Sequence, residues 1–260
     1  MRNRMMLGRF MDVGSRIHRL DPRAKIIALM IYTIVVFRMD TLREAALVSL
    51  FSLGCLRMTR IGLSQYVKAV RPLGTIVVFI FLCHLALDAG GNQLWRLGPF
   101  SVYSEGLERG LMAALRMIWF VAMSAVLTFT TPPAQLIRGL ERVLAPLRRL
   151  GLRPQNITLM LMIAFRFVPT IFAETERILK AQASRGFDLK GRPWKEKAGL
   201  FLALLVPVTV NAIRRGVELA ESMETRGFRP GVRRSCGHAL IWRAGDTAFV
   251  LLFAVLLAVT

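Results

Sequence analysis

The sequence predicts an all-α, polytopic integral membrane protein with about five transmembrane helices and a helical domain on the cytoplasmic side. Of its 260 residues, 54% are hydrophobic and only 20% are charged, and the mean hydropathy is +0.48. A soluble domain of this size does not need so much apolar surface for its core. The formal charge of +20 comes from 36 Lys and Arg against 16 Asp and Glu. These basic residues lie between the apolar runs, as expected for membrane topology.

Five apolar runs are the predicted transmembrane helices. Each is shorter than the roughly 20 residues that cross a hydrocarbon core unaided. We therefore expect flanking cations to lengthen the spans, with the stems of Arg23, Lys25, Arg71 and Arg116 along the apolar layer and their charged heads in water. The runs are Ala24 to Phe37, Ala45 to Leu56, Leu73 to Leu87, Met117 to Thr131 and Thr247 to Thr260.

The connecting segments predict the orientation, because Lys and Arg are retained on the cytoplasmic side. Residues 1–25 carry seven basic and two acidic groups, and residues 57–71 carry four basic and no acidic groups. The link at residues 38–44 is neutral, and the loop at residues 88–110 has two basic and three acidic groups. The N-terminus is therefore predicted to lie in the cytoplasm.

A long basic segment follows, with twenty Lys or Arg against nine Asp or Glu between residues 132 and 246. It contains two apolar stretches, at 157–173 and 198–213. A crossing at either stretch would leave a positive loop on the outer face, so both are predicted to be helices against the inner surface or the transmembrane bundle. The predicted division is thus transmembrane helices over 1–131, cytoplasmic helices over 132–236 and a last transmembrane helix over 237–260.

Three helices are predicted in this segment. The first is amphipathic and basic, begins at the prolines of 132–133 and ends at Gly151. The other two start apolar and finish charged, and Pro169 and Pro207 are expected to kink or break them. Helical spacing predicts ion pairs within these helices. The predicted pairs are Glu174 with Arg177, Glu176 with Lys180, and Arg214 with Glu218. Glu218, Glu221 and Glu224 are interpreted as a solvated face.

Both apolar-to-charged helices end in the same tripeptide, Arg-Gly-Phe. Glycine just after the last turn closes a helix, and arginine there is favoured by the helix dipole. A duplicated guanidinium at two helix tips also suits a partner that offers carboxylates beside a groove. The two copies are Ser184-Arg185-Gly186-Phe187 and Thr225-Arg226-Gly227-Phe228.

The paired X-Arg-Gly motifs occur together with FRFVPT (165–170), PVTVNAIRRGVELAESMETRG (207–227) and SRIHRLDPRAKI (15–26). This combination closely resembles the transmembrane component of energy-coupling factor transporters over nearly the whole chain. The resemblance implies a scaffold that joins two ABC ATPase subunits to a separate substrate-capturing membrane subunit. In that family X is usually alanine or serine, so Thr225 departs from the pattern.

The resemblance further implies which residues bind the ATPases. These are Ser184, Arg185 and Gly186 in the first copy and Thr225, Arg226 and Gly227 in the second. The implied mechanism is a lever: ATP binding draws the two ATPases together, and the helix tips transmit the movement to the membrane partner. The partners are thus two ATPases, the capture subunit and the lipid bilayer of the bacterial inner membrane.

Other functional classes have little support in the sequence. There is no GxxxxGK[ST] loop, no catalytic carboxylate pair, no secretory signal and no nucleic-acid-binding pattern, and we expect no cofactor. Cys55, Cys83 and Cys236 are interpreted as packing residues. His84, near Cys83 and Asp88, is interpreted as a helix-packing hydrogen bonder rather than a metal ligand.

Two alternatives remain open at this stage. One is an integral-membrane enzyme that acts on anionic lipid, which requires a nucleophile or metal site at the inner surface. The other is a self-sufficient permease, which requires polar residues grouped at membrane depth. The transported compound also stays open, because in the family it is selected by the capture subunit: cobalt, nickel, biotin and other vitamins all remain candidates.

Overall fold

The computed structural model describes residues 11, 13–87, 90, 93–97, 100–146, 154–184, 194–229 and 241–260. The chain forms two compact units, one of residues 1–143 with 238–260 and one of residues 144–237. The first unit contains α1 (Pro22–Arg38), α2 (Leu42–Met58), α3 (Leu63–Val70), a 3₁₀ turn (Arg71–Leu73), α4 (Gly74–Leu87), β1 (Gln93–Leu97), β2 (Phe100–Tyr103), α5 (Ser104–Thr130), α6 (Pro133–Val143) and α9 (Ala244–Val259). The second contains α7 (Pro154–Ser184) and α8 (Trp194–Thr225). The predicted all-α membrane class is confirmed.

A short β-hairpin is the exception to the helical class. It lies in the loop between α4 and α5, and β1 pairs antiparallel with β2 in the register Leu97↔Phe100, Arg96↔Ser101 and Trp95↔Val102. The strands follow directly on one another, so the connection is short enough for a hairpin turn. The sequence analysis treated this stretch only as a loop.

Local sequence signals explain where the first helices begin. Asp21 caps α1 by accepting a hydrogen bond from the Arg23 amide at 2.9 Å, and Pro22 occupies the first helical position. At α2, Thr41 and Glu44 form a capping box. Each cap satisfies backbone N–H groups that have no partner within the helix.

The core of the first unit is built around aromatic side chains of α1, α2 and α9. Tyr32 and Phe253 are buried and meet edge to face at 6.0 Å between ring centroids, and Phe51 meets Phe253 at 4.9 Å. The Tyr32 hydroxyl also hydrogen-bonds Ser52 Oγ at 2.5 Å. These contacts hold the C-terminal helix against the two N-terminal helices although it is distant in sequence.

Lys25 corrects one expectation, because its charged head does not reach water. Its side chain is buried, and Nζ donates to the Thr130 carbonyl at 3.2 Å and to Thr131 Oγ1 at 3.0 Å. The predicted position assumed that an ammonium at a helix start has no partner inside the protein. Here the end of α5 supplies the acceptors, so Lys25 ties α1 to α5.

Asp246 ties α1 to α9 at the same end of the unit. Its side chain is buried, Oδ1 accepts from the Asp21 amide at 2.7 Å, and Oδ2 accepts from the Arg243 amide at 2.7 Å. One carboxylate thus satisfies an amide at the start of each of two helices.

The SRIHRLDPRAKI stretch is therefore part of a polar network at this end of the first unit. Ser15 Oγ lies 2.6 Å from His18 Nδ1, and His18 Nε2 donates to the Met11 carbonyl at 2.6 Å. Because a carbonyl only accepts, Nε2 donates to Met11, and the neutral imidazole then accepts a hydrogen bond from the Ser15 hydroxyl at Nδ1. The motif thus ties Met11 to the turn that precedes α1.

Many apolar side chains of the helices face outward. Leu87, Leu50 and Phe37 are 78%, 71% and 67% exposed. In the described part of the chain, three helical segments are long and apolar enough to cross a membrane: Leu63–Leu87, Ser104–Thr130 and Gln155–Ser184. At about 1.5 Å per residue, α1 and α2, with 17 residues each, span about 25 Å, less than a hydrocarbon core of about 30 Å.

Gln155–Ser184 is the segment that we predicted to stay on the inner side because of its flanking charges. Its length and composition alone permit a crossing. Charge bias and hydropathy are separate criteria, so its position stays a prediction, as does the count of five spans.

α6 is shorter than predicted and ends at Val143 rather than Gly151. Pro146 lacks an N–H and its ring disfavours helical backbone at the preceding residue, which explains the early end. α6 belongs to the first unit and packs closely on α1: a Cβ added at Gly139 would lie 3.0 Å from Pro22 Cβ. Gly151 itself lies outside the described residues.

The two long helices of the second unit continue through their prolines. Pro169 lies inside the 31-residue α7 and Pro207 inside the 32-residue α8. Each proline removes one hydrogen bond of its helix without breaking it. Both helices therefore reach from an apolar start to a charged end as single elements.

Candidate functional site

The second X-Arg-Gly copy forms a complete C-terminal helix cap at the end of α8. Gly227 has a φ of +73°, its amide donates to the Glu224 carbonyl at 2.9 Å, and the Phe228 amide donates to the Met223 carbonyl at 2.9 Å. This pair of bonds is the Schellman motif, in which a left-handed residue just past the helix closes the last turn. The expected capping role of Gly227 is confirmed.

Arg226 lies at the tip that this cap produces. Its side chain is exposed, and no side chain in the described parts of the chain forms an ion pair or hydrogen bond with it. Arginine stays charged at any working pH and offers five donors in a planar fork. The tip can therefore grip a carboxylate of another molecule.

Ser184 and Thr225, the X residues of the two copies, form the same kind of hydrogen bond. Ser184 Oγ, at the last residue of α7, donates to the Lys180 carbonyl at 3.1 Å, and Thr225 Oγ1 donates to the Ser222 carbonyl at 3.1 Å. Each hydroxyl is thus turned back onto its own helix. This explains why threonine replaces the usual serine or alanine at Thr225 without altering the helix end. Arg185 and Gly186 lie outside the described residues.

The charged halves of α7 and α8 are joined by a contact that the sequence analysis did not predict. Glu174 does not pair with Arg177 as expected: its Oε2 lies 3.0 Å from an Arg215 guanidinium nitrogen on α8, and its Oε1 accepts from Asn211 Nδ2 at 2.8 Å. The two donors on α8 together occupy both carboxylate oxygens, which the single i,i+3 neighbour Arg177 would have to share with water. The predicted pair of Glu176 with Lys180 is confirmed at 2.9 Å.

Three carboxylates in the C-terminal half of α8 are not part of this contact. Glu218, Glu221 and Glu224 are all exposed, in agreement with their interpretation as a solvated face. Within the described residues, no cluster of three or more His, Cys, Asp and Glu has the geometry of a metal site. Cys83 and His84 lie in α4, whereas Asp88 lies outside the described residues.

Replacing Gly227 with alanine is expected to loosen the end of α8 by about 1 kcal/mol, because a Cβ disfavours the left-handed conformation. Hydrogen–deuterium exchange at the Gly227 and Phe228 amides should become faster. Gly216→Ala is the matched control: Gly216 lies inside α8 with no atom near an added Cβ, so alanine there should stabilise the helix. Equal exchange in both variants would contradict the cap.

Comparison with known proteins gives matches over nearly the whole chain. The cobalt transport protein family CbiQ matches residues 14–236. The energy-coupling factor transporter transmembrane protein EcfT of Bacillus subtilis is 36% identical over 258 residues, which is 99% of this chain and 97% of the relative. The proteins of the same name from Heliobacterium modesticaldum and Listeria innocua are 39% and 36% identical, covering 93% and 98% of this chain and 91% and 97% of the relatives.

Exposed apolar helices define a helical membrane protein, and α8 ends in a capped, cationic tip. The family match and the near full-length relatives specify the class further. The chain belongs to the family of transmembrane components of energy-coupling factor transporters. It is the transmembrane scaffold subunit of such a transporter.

Proposed function

We propose that the chain binds two ABC ATPase subunits through Arg185 and Arg226 and links them to a separate substrate-capturing membrane subunit. The observation that supports this most is the Arg226 tip, exposed beyond a Schellman cap and repeated in sequence at Arg185. Ser184, Gly186, Thr225 and Gly227 belong to the same two motifs and are proposed to take part in the binding. The chain itself is non-catalytic and needs no cofactor.

The proposed mechanism is mechanical coupling between the two kinds of partner. ATP binding draws the ATPases together, the two arginine tips move with them, and α7 and α8 carry the displacement to the capture subunit. Such coupling requires an element that both ends can bias. The exposed apolar residues of both helices, such as Met160 at 70% and Ile213 at 63% exposure, provide surface for a membrane partner or lipid.

The proposed location is the inner membrane of a bacterial cell, with the N-terminus in the cytoplasm. The charge bias of the connecting segments supports this orientation. The ATPases then meet the arginine tips on the side where ATP is present. The cargo is a vitamin or a transition-metal ion, selected by the capture subunit.

Purification in mild detergent tests the proposal. A tagged chain expressed with its neighbouring genes is expected to copurify with two ATPase subunits and one small membrane protein. The lipid-acting enzyme and the self-sufficient permease both predict that the chain purifies alone. Recovery of the chain without ATPases, under conditions that preserve other transporter complexes, would contradict the scaffold function.

A further inference from the structure

We propose that Glu174, Asn211 and Arg215 form a cross-helix clamp that fixes the relative orientation of α7 and α8 and so sets the separation of their two arginine-bearing ends. The inference rests on the proposed function, in which those ends carry the ATPases. The clamp is defined as the contact of the Glu174 carboxylate with the Asn211 amide and the Arg215 guanidinium. All three residues belong to the second compact unit.

Both oxygens of one carboxylate are used in the clamp. Glu174 Oε1 accepts from Asn211 Nδ2 at 2.8 Å, and Oε2 lies 3.0 Å from the Arg215 nitrogen. The Glu174 side chain is 20% exposed, compared with 61% for Glu176 in the pair that lies within α7. Two bonds to a partly buried carboxylate fix the orientation of the helices more tightly than one exposed ion pair does.

The clamp is placed symmetrically with respect to the two tips. Glu174 lies ten residues before Ser184, and Arg215 lies ten residues before Thr225. At about 1.5 Å per helical residue, each tip is about 15 Å from the clamp. Glu174 and Arg215 therefore occupy equivalent positions in the two copies, which are offset by 41 residues. Because the two distances are equal, a rotation of the helices about the clamp displaces both tips by similar amounts.

The prolines of the two helices lie on the other side of the clamp from the tips. Pro169 precedes Glu174 by five residues, and Pro207 precedes Asn211 by four. Because proline removes the hydrogen bond to the carbonyl four residues earlier, a helix bends more easily at this point than elsewhere. The clamp therefore joins the two C-terminal halves just after the points where each helix is most pliable.

The contact serves orientation more than stability. It borders a groove of about 540 Å³ lined also by Phe167, Arg214 and Ser222, and the Arg215 side chain is 39% exposed. Water in the groove screens the ion pair, so its loss costs little folding free energy. Its loss instead lets each tip-bearing half swing separately about its proline.

The distance between two spin labels tests the clamp on the full chain in lipid nanodiscs, without ATPases. The labels are placed at Ala181→Cys and Ser222→Cys, which are exposed and lie seven residues after Glu174 and Arg215, in a background with Cys55, Cys83 and Cys236 replaced by serine. We expect a single narrow distance distribution in the parent. Glu174→Ala and Arg215→Ala should widen it by about twofold, because each leaves the other partner unpaired.

Glu176→Ala is the matched control, since it removes a glutamate from the same helix and breaks only the pair with Lys180. It should leave the distribution unchanged. The exchange Glu174→Arg with Arg215→Glu should narrow it again, because the ion pair is restored and the Asn211 amide can turn its oxygen toward the arginine. Distributions as narrow in Glu174→Ala and Arg215→Ala as in the parent overturn the clamp, and so does equal widening in Glu176→Ala.

The clamp and the proposed ATPase docking can fail separately. The label distances are measured without ATPases, so they report on the clamp even if the ATPases dock elsewhere. In the assembled complex, we expect ATP and vanadate to shift the distance between the two labels from one narrow distribution to another. Glu174→Ala is expected to keep ATPase copurification but to give a broad distribution in both states. A narrow distribution in both states of Glu174→Ala contradicts the clamp, whereas loss of ATPases from an Arg185 and Arg226 variant reports only on docking.

Discussion

Alanine at both Arg185 and Arg226 is expected to release the ATPases from the membrane subunit. Each substitution removes the counter-charge of a partner carboxylate, which costs about 2–5 kcal/mol of binding free energy. The lower value alone corresponds to an affinity loss of about 30-fold. The measurement is the amount of ATPase retained on the tagged chain and its dissociation constant in detergent. Lysine at the same positions should restore binding only in part, because an ammonium lacks the planar fork.

Arg177→Ala and Arg229→Ala are the controls for this experiment. Both residues are exposed and lie close in sequence to the two motifs, on α7 and just beyond α8. They remove the same charge without touching an X-Arg-Gly motif, so a purely electrostatic attraction would be weakened equally by either pair. Full ATPase retention in the double alanine variant of Arg185 and Arg226 would refute the assignment.

Asparagine at Asp246 is expected to destabilise the first unit by about 1–3 kcal/mol, because one of the two backbone N–H groups that the carboxylate satisfies loses its acceptor. The carboxylate accepts from the Asp21 and Arg243 amides, both at 2.7 Å. An amide has one oxygen and would turn its NH₂ group toward the other N–H. Lys25, buried beside the same junction, would also lose a nearby negative charge. The measurement is the free energy of unfolding in detergent micelles.

Asp40→Asn provides the same chemical change at the surface. The Asp40 side chain is 85% exposed and pairs with Arg116 at 3.0 Å. Its substitution should alter the free energy of unfolding by less than about 0.5 kcal/mol. Equal stability of the Asp246 and Asp40 variants would show that the carboxylate at the α1–α9 junction does not hold the two helices together.

The junction at Asp246 and the clamp at Glu174 share a physical feature that sequence patterns do not reveal. In each, one carboxylate accepts from a donor on an element that is distant in sequence: Asp21 is 225 residues from Asp246, and Asn211 is 37 residues from Glu174. Helical periodicity predicts only neighbours three or four residues away. It therefore found the pair of Glu176 with Lys180 and assigned Glu174 to the wrong partner.

A signal for the clamp was nevertheless present in the sequence. The two Arg-Gly-Phe copies are offset by 41 residues, and the same offset relates Glu174 to Arg215. When the two copies are aligned on Arg185 and Arg226, Glu174 and Arg215 occupy equivalent positions and carry opposite charges. Their contact still requires α7 and α8 to pack against each other at these two residues. The spacing of residues within one helix does not determine that packing.

The sequence by itself determined the class of protein, the approximate places of the apolar helices and the glycine cap at Gly227. These depend on composition, on runs of apolar residues and on local backbone preferences, all of which act over a few residues. Only the tertiary structure decided that Lys25 is buried against the end of α5, that Asp246 joins α1 to α9 and that Glu174 bridges to α8. Each of these contacts forms because folding brings a charged group that is partly or fully removed from water close to partners on another helix. The local sequence around the charge does not show which partners those will be.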